Sequence, residues 1–245
     1  MEQAHAAVLA DPPQTVGPSQ YRYLDLITAL FVAVLLISNV VGQKIWRLGP
    51  FDMSAAQMLF PVSYIFGDVL TEVYGYARSR RVIWIGFGCN ALMALVDWVA
   101  VQLPPSPDWH NQEAFATIIG FVPRLVIASL IAFWAGEFSN SYVLAKMKIF
   151  TSGRHLWMRT IGSTVVGEAV DSILVIAITF TGVLPVGTMV RIILSMYVFK
   201  VAYEAAVTPV TYAVVNWLKR REAEDFYDYR TNFNPFAKGT PARHG

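Results

Sequence analysis

The chain has 245 residues, of which 55% are hydrophobic and 15% charged, with a formal net charge of +2 and a mean hydropathy of +0.45. That balance lies outside the range of soluble domains and points to a bilayer. A single cysteine, Cys89, excludes an internal disulfide or a thiolate metal site, and His5, His110, His155 and His244 all fall in tails or loops, which argues against a buried metal centre.

Residues 1–20, MEQAHAAVLADPPQTVGPSQ, are polar and proline-rich and lack the basic-then-apolar pattern of a cleavable signal, so they read as a flexible cytoplasmic tail. Apolar stretches long enough to cross a hydrocarbon core follow at about 23–45, 54–76, 82–103, 118–142, 161–184 and 190–217. The expected fold is therefore all-α: a polytopic membrane domain of six transmembrane helices over 21–218, then a cytoplasmic tail over 219–245, amphipathic at first and flexible beyond.

Basic residues divide unevenly between the expected connections. Arg78, Arg80 and Arg81 fall in the second loop, Lys146, Lys148, Arg154 and Arg159 in the fourth, and Lys219, Arg220, Arg221, Arg230, Lys238 and Arg243 after the last span, whereas the third loop, PPSPDWHNQEAFAT, has none. By the positive-inside rule both termini are cytoplasmic, and the basic clusters need no nucleic-acid partner.

The spans carry charges that a membrane penalises. Asp68 and Glu72 lie in the second, Arg124 and Glu137 in the fourth, Glu168 and Asp171 in the fifth, and Lys200 and Glu204 in the sixth. Each costs about 2.5–3.5 kcal/mol at mid-bilayer, so each must face protein, water or a ligand. Asp97 and Arg191, nearer an interface, can reach out to it.

Spacings of three and four residues put Asp68, Thr71 and Glu72 on one helical face, and do the same for Glu168 with Asp171 and for Lys200 with Glu204. At about 1.5 Å per residue, Asp68 lies roughly 13 Å and Asp171 about 15 Å from the cytoplasmic ends of their helices, near the midplane of a core about 30 Å thick. An internal salt-bridge network alone does not account for them, because six carboxylates face two cations within the spans. The surplus calls for protons, water or a donor-rich ligand, and hence a polar substrate pathway.

Gly67, Gly75, Gly136, Gly162 and Gly167 suit close helix packing, and Pro61 and Pro209 lie inside the second and sixth spans, where each can kink its helix. GDVLTE (67–72) and GEAVDS (167–172) match as Gly-acid-x-x-polar-polar at an offset of 100 residues, and Ser38-Asn39 recurs as Ser139-Asn140. Two units of three helices in one chain run in opposite orientations, the 3+3 inverted repeat of many secondary transporters, with the site at the midplane.

FPVSYIFGDVLTEVYG (60–75) with the arginine cluster after it, GEAVDS (167–172) and YVFKV (197–201) together resemble the bacterial queuosine-precursor transporter family, which is grouped with vitamin-uptake transporters. The resemblance covers about residues 22–220. It implies uptake of the 7-deazaguanine precursors of a tRNA base, 7-cyano-7-deazaguanine (preQ0) and 7-aminomethyl-7-deazaguanine (preQ1), across the cytoplasmic (inner) membrane. It carries the family's functional positions onto Asp68, Thr71, Arg124, Asp171 and Lys200. Glu72 and Glu168 are acidic positions that not all members share, which suits a role in substrate choice.

The chemistry is compatible with that substrate class. A deazaguanine presents a ring N–H beside an exocyclic amine, a donor pair that one carboxylate accepts, and a carbonyl that suits a cation or an amide. Asp68, Glu168 and Asp171 are expected to face the donors, Lys200 or Asn39 the carbonyl, and Phe66 or Tyr203 the ring face, with Thr71, Glu72, Glu204 and Arg124 also expected in the substrate site. The expected partners are this purine-like small molecule and the lipid bilayer, with a homodimer left open and no cofactor implied.

Two other carrier readings share the same carboxylates: a vitamin-type substrate-binding membrane subunit of an ATP-driven importer, and an ion- or proton-coupled exchanger. An enzyme is not expected, since HExxH and GxSxG motifs and any histidine within a span are missing, and only an Asp68/Asp171 aspartyl pair stays formally open.

Overall fold

The computed structural model describes residues 21–42, 44–48, 51–120, 123–229 and 231–237. Helix α1 (Leu24–Val41) leads into an antiparallel hairpin of β1 (Ile45–Leu48) and β2 (Phe51–Ser54), followed by a 3₁₀ turn over Ala55–Met58. Then come α2 (Phe60–Tyr74), α3 (Tyr76–Gln102), the short α4 (Gln112–Ile119), α5 (Pro123–Phe150), α6 (Leu156–Phe180) and α7 (Val186–Glu222). Residues 1–20, Arg230 and 238–245, which hold most of the expected tails, lie outside the described residues.

Each of the six apolar stretches contains a long or medium helix, in the expected order. Four of these helices, α1, α3, α6 and α7, are long and apolar enough to cross a membrane among the described residues. The chain is thus an all-α polytopic membrane protein with one small hairpin in its first connection.

The second stretch departs most from expectation. Instead of one helix over 54–76, the hairpin and 3₁₀ turn take its start, and α2 keeps 15 residues, about 22 Å. Pro61 does not kink α2; it sits in the first turn, where a missing N–H breaks no helical bond. Gly75 alone separates α2 from α3, at φ +85, and a Cβ there would stand 2.2 Å from the Phe226 ring. Arg78, Arg80 and Arg81 therefore lie in the first turns of α3 and not in a loop. Lys146 and Lys148 likewise belong to α5, and Arg159 to α6.

The bundle is polar inside and apolar outside. Asp68, Glu72, Glu137, Asn140 and Ser163 are fully buried, whereas Leu92 is 61% and Val198 62% exposed. A chain dissolved in lipid gains little by hiding leucine and loses much by exposing carboxylate, so this partition fits a bilayer. The apolar core joins Phe31 and Leu35 of α1, Leu70 and Val73 of α2, Phe133 of α5 and Val215 of α7.

The segment after α7 turns back over one end of the bundle. Phe226 N donates to Val73 O (3.3 Å), Arg80 Nη1 to the carbonyls of Asn232 and Asn234 (2.8 and 2.9 Å), and Trp84 Nε1 to Pro235 O (2.9 Å). Asp228 accepts the Tyr76 N–H (3.0 Å), which caps α3 where the helix start leaves donors unpaired. Burial pushes the Asp228 carboxyl above its usual range, against the Thr231 and Tyr76 hydrogen bonds that lower it.

Candidate functional site

Small residues bring the polar faces together. A Cβ on Gly136 would stand 2.5 Å from Tyr64 Oη, 3.0 Å from Asp171 Cβ and 3.1 Å from Gly167 O. One on Gly167 would stand 2.8 Å from Asn140 Cβ and 3.0 Å from Gly136 O. Only glycine at both places lets the α5 and α6 backbones approach this closely, as membrane helices do. Tyr64 of α2, Asn140 of α5 and Asp171 of α6 meet at that crossing.

Around it lies a buried polar set from four helices. Asp68 Oδ1 accepts from Asn140 Nδ2 at 2.7 Å and from Ser163 Oγ at 3.5 Å. Lys200 Nζ stands 2.6 Å from Asp171 Oδ2 and 2.6 Å from Glu168 Oε2. One ammonium therefore bridges two turns of α6. Asp68 Oδ2 and both carboxylate oxygens of Glu137 and Glu204 are buried without a hydrogen-bond donor among the described residues. Such acceptors cost about 1–3 kcal/mol or more each until a donor or a proton satisfies them.

Glu72 lies in a second cluster, toward the end of the bundle that the C-terminal segment covers. Its Oε1 is 2.6 Å from Arg159 Nη2, 2.7 Å from Lys219 Nζ and 3.6 Å from Lys148 Nζ. Arg159 Nε reaches Oε2 at 3.2 Å and Nη1 donates to the Arg154 carbonyl. Lys148 also meets Asp225 (2.5 Å) and Phe226 O (2.8 Å), and Lys219 meets Asp225 (2.9 Å). Burial pushes the Asp225 carboxyl up, but the Lys148 and Lys219 ammonium groups outweigh it and hold it below the usual carboxylate range.

The other expected site residues are dispersed. Thr71 donates to Ser141 (3.0 Å), which in turn lies 3.1 Å from Ser79, a hydroxyl chain tying α2, α5 and α3 together. Asn39 is bonded to Asn90 of α3 at 2.8 Å. Phe66 packs against the apolar core, and Tyr203 lies 6.5 Å from the Phe199 ring. The Arg124 side chain lies outside the described residues.

Asn140, Ser163, Arg159, Lys148 and Lys219 also shape the two clusters, although none was among the expected site residues. A signal existed for α6: Thr160, Ser163, Thr164, Gly167, Glu168 and Asp171 follow three- and four-residue spacings, one small-polar stripe over three turns. Nothing comparable marks Lys219, whose link to Glu72 spans 147 residues. Among the described residues no His/Cys/Asp/Glu group is arranged to hold a metal ion.

Two bacterial proteins are similar to this chain. A Bacillus subtilis (strain 168) protein described as "Probable queuosine precursor transporter" is 31% identical over 186 residues, 76% of this chain and 81% of that protein. An Escherichia coli (strain K12) protein described as "Queuosine precursor transporter" is 23% identical over 161 residues, 66% of this chain and 70% of that one. No solved structure matches the chain. A family described as "Putative vitamin uptake transporter" matches residues 54–214, a stretch that includes the Asp68, Glu168, Asp171 and Lys200 set. The chain belongs to this vitamin-uptake-type transporter family, as an integral membrane carrier of small molecules.

Proposed function

We propose that the protein imports a 7-deazaguanine precursor of queuosine, preQ0 or preQ1, across the bacterial cytoplasmic membrane. The observation that carries this reading is Lys200 held between Glu168 and Asp171 beside the Asp68–Asn140 pair, a buried donor-and-acceptor set in a chain similar to queuosine-precursor transporters. Asp68, Glu204 and the α6 carboxylates take the ring N–H and exocyclic amine, and Lys200 turns from a carboxylate to the ring carbonyl. Arg124, Asn39, Phe66 and Tyr203 are secondary contacts, made as the helices move.

All six long and medium helices, α1, α2, α3, α5, α6 and α7, cross the membrane in this reading, α2 with the help of its hairpin and 3₁₀ turn. They form two inverted units of three, supported by Gly67-Asp68 and Gly167-Glu168, which meet α5 from two sides 100 residues apart. Both termini are cytoplasmic, in line with the basic residues around Arg78, Lys148 and Lys219. The Glu72 cluster then closes the cytoplasmic mouth, tying α2, α5, α6 and α7 together by Lys148, Arg159 and Lys219. One chain is sufficient for this route, and a homodimer would carry two copies of it.

The test is binding by the purified protein against a panel of purines, 7-deazaguanines and vitamins. A thermal shift with 7-deazaguanines and none with vitamins is expected. A shift with a vitamin and none with deazaguanines contradicts the reading.

A further inference from the structure

We propose that Glu137 is a proton-binding site that couples transport to the proton gradient, acting through Asn140 on Asp68. The inference rests on the transport reading above and adds an ion that no other observation assigns.

Glu137 sits mid-helix in α5, is 0% exposed, and has neither carboxylate oxygen partnered among the described residues. An isolated carboxylate in such a place is not sustained; it takes a proton or a cation. The space around it decides which. A Cβ on Gly67 would stand 2.6 Å from Glu137 Oε2, so the carboxyl group lies against the α2 backbone. That contact leaves no room on this side for a purine or a shell of oxygen ligands, and a proton needs none.

The neighbours supply attraction for a proton and none for a bare charge. Asp68 and Tyr64 of α2 and Glu168 and Asp171 of α6 lie within electrostatic range of Glu137. The cation of this set, Lys200 of α7, is already bound to Glu168 and Asp171. From α3, Tyr76 packs on the adjacent Phe138 and gives its hydroxyl to Phe233 O.

Asn140 provides the link. It lies three residues after Glu137, on the same face of α5. Its Nδ2 donates to Asp68 at 2.7 Å, while its Oδ1 is buried without a donor. Both side chains lie over Gly67, whose Cβ would stand 2.6 Å from Glu137 Oε2 and 3.8 Å from Asn140 Nδ2; in this proposal a protonated Glu137 turns its O–H to the acceptor that lacks a donor and so aligns the amide toward Asp68. Loss of the proton removes that donor and frees the amide to turn, so substrate held at Asp68 and the proton at Glu137 are felt by one another. In the cycle a proton from outside water forms one carboxyl O–H bond, and that bond breaks when the proton passes to water on the cytoplasmic side. Glu204, which also has unpartnered oxygens, lies beside Asp68 in the substrate set and is distinguished by the same test.

The experiment uses the full chain in proteoliposomes, with radiolabelled preQ1 or preQ0 and an imposed pH gradient, together with equilibrium binding of the same compounds. Wild type is expected to accumulate substrate up to about tenfold per unit of inward gradient for one proton per substrate, and to lose this with a protonophore. Glu137→Gln is expected to bind substrate and exchange it across the membrane but not to respond to the gradient; Glu137→Asp restores the response. Wild-type uptake that ignores the gradient overturns the proposal, whatever the variants do, and so does a gradient response in Glu137→Gln, or one lost in Glu204→Gln alone. Failure of wild type to bind either compound overturns the import reading and this inference with it.

Discussion

Glu72 of α2 and Arg159 of α6 form a two-point ion pair, with Nη2 2.6 Å from Oε1 and Nε 3.2 Å from Oε2, and both side chains are almost wholly buried. Removing one partner of such a pair leaves a buried charge uncompensated, at about 3–5 kcal/mol. Glu72→Gln removes the carboxylate shared by three cations, leaving Lys148 and Lys219 with Asp225 alone and Arg159 with no carboxylate among the described residues, and is expected to lower the thermal midpoint strongly. Arg159→Lys keeps the charge but loses the fork, and is expected to fall between wild type and Glu72→Gln. Thermal unfolding in detergent orders the three proteins.

The same cluster reaches into the segment after α7 through Asp225. Its carboxyl is held below the usual carboxylate range, so its contribution to stability is complete above the ordinary value for an aspartate and is lost as pH falls through the lower folded value. Asp225→Asn is expected to melt below wild type at neutral pH, and the gap to close as pH falls through that window. Midpoints measured against pH for the two proteins show whether it does.

Gly75 is required twice over, by its positive φ and by the Phe226 ring 2.2 Å from where a Cβ would stand. Gly75→Ala is expected to cost on the order of 1–3 kcal/mol from backbone strain, more with the clash. Phe226→Ala opens the space, so the double variant is expected to recover the clash and retain the strain. A double-mutant cycle on thermal midpoints separates the two.

The element order and the inward polar faces were legible in the sequence because both follow from local rules: hydropathy marks what lipid accepts, and spacings of three and four mark a helix face. Asp68, Glu168, Asp171 and Lys200 could be grouped on that basis alone. The hairpin ahead of α2, the one-residue break at Gly75 and the docking of residues 224–229 and 231–237 were not legible, since each depends on contacts between distant segments such as Arg80 with Asn232. For the same reason the sequence alone makes Glu72 one member of the Asp68 stripe: its partners Arg159 and Lys219 lie 87 and 147 residues away, among charges that hydropathy assigns to a loop and a tail.

At the α5–α6 crossing, Gly136→Ala puts a methyl group 3.0 Å from Asp171 Cβ and 3.1 Å from Gly167 O, contacts that the backbone of α6 cannot relieve by a rotamer change. A cost of about 1–3 kcal/mol is expected, with weaker substrate binding because Asp171 is displaced from Lys200. Gly88, with open space around it, is the control: Gly88→Ala is expected to leave both binding and stability near wild type.

The most direct test of the import reading is uptake of radiolabelled 7-deazaguanine by reconstituted wild type, Asp68→Asn and Asp171→Asn proteins, each checked for normal insertion. Saturable uptake by wild type is expected, with at least about a tenfold loss in each variant, equivalent to about 1.4 kcal/mol, because on the proposed import reading each substitution removes a charged acceptor from the ligand. Uptake by both variants at the wild-type rate would contradict the account.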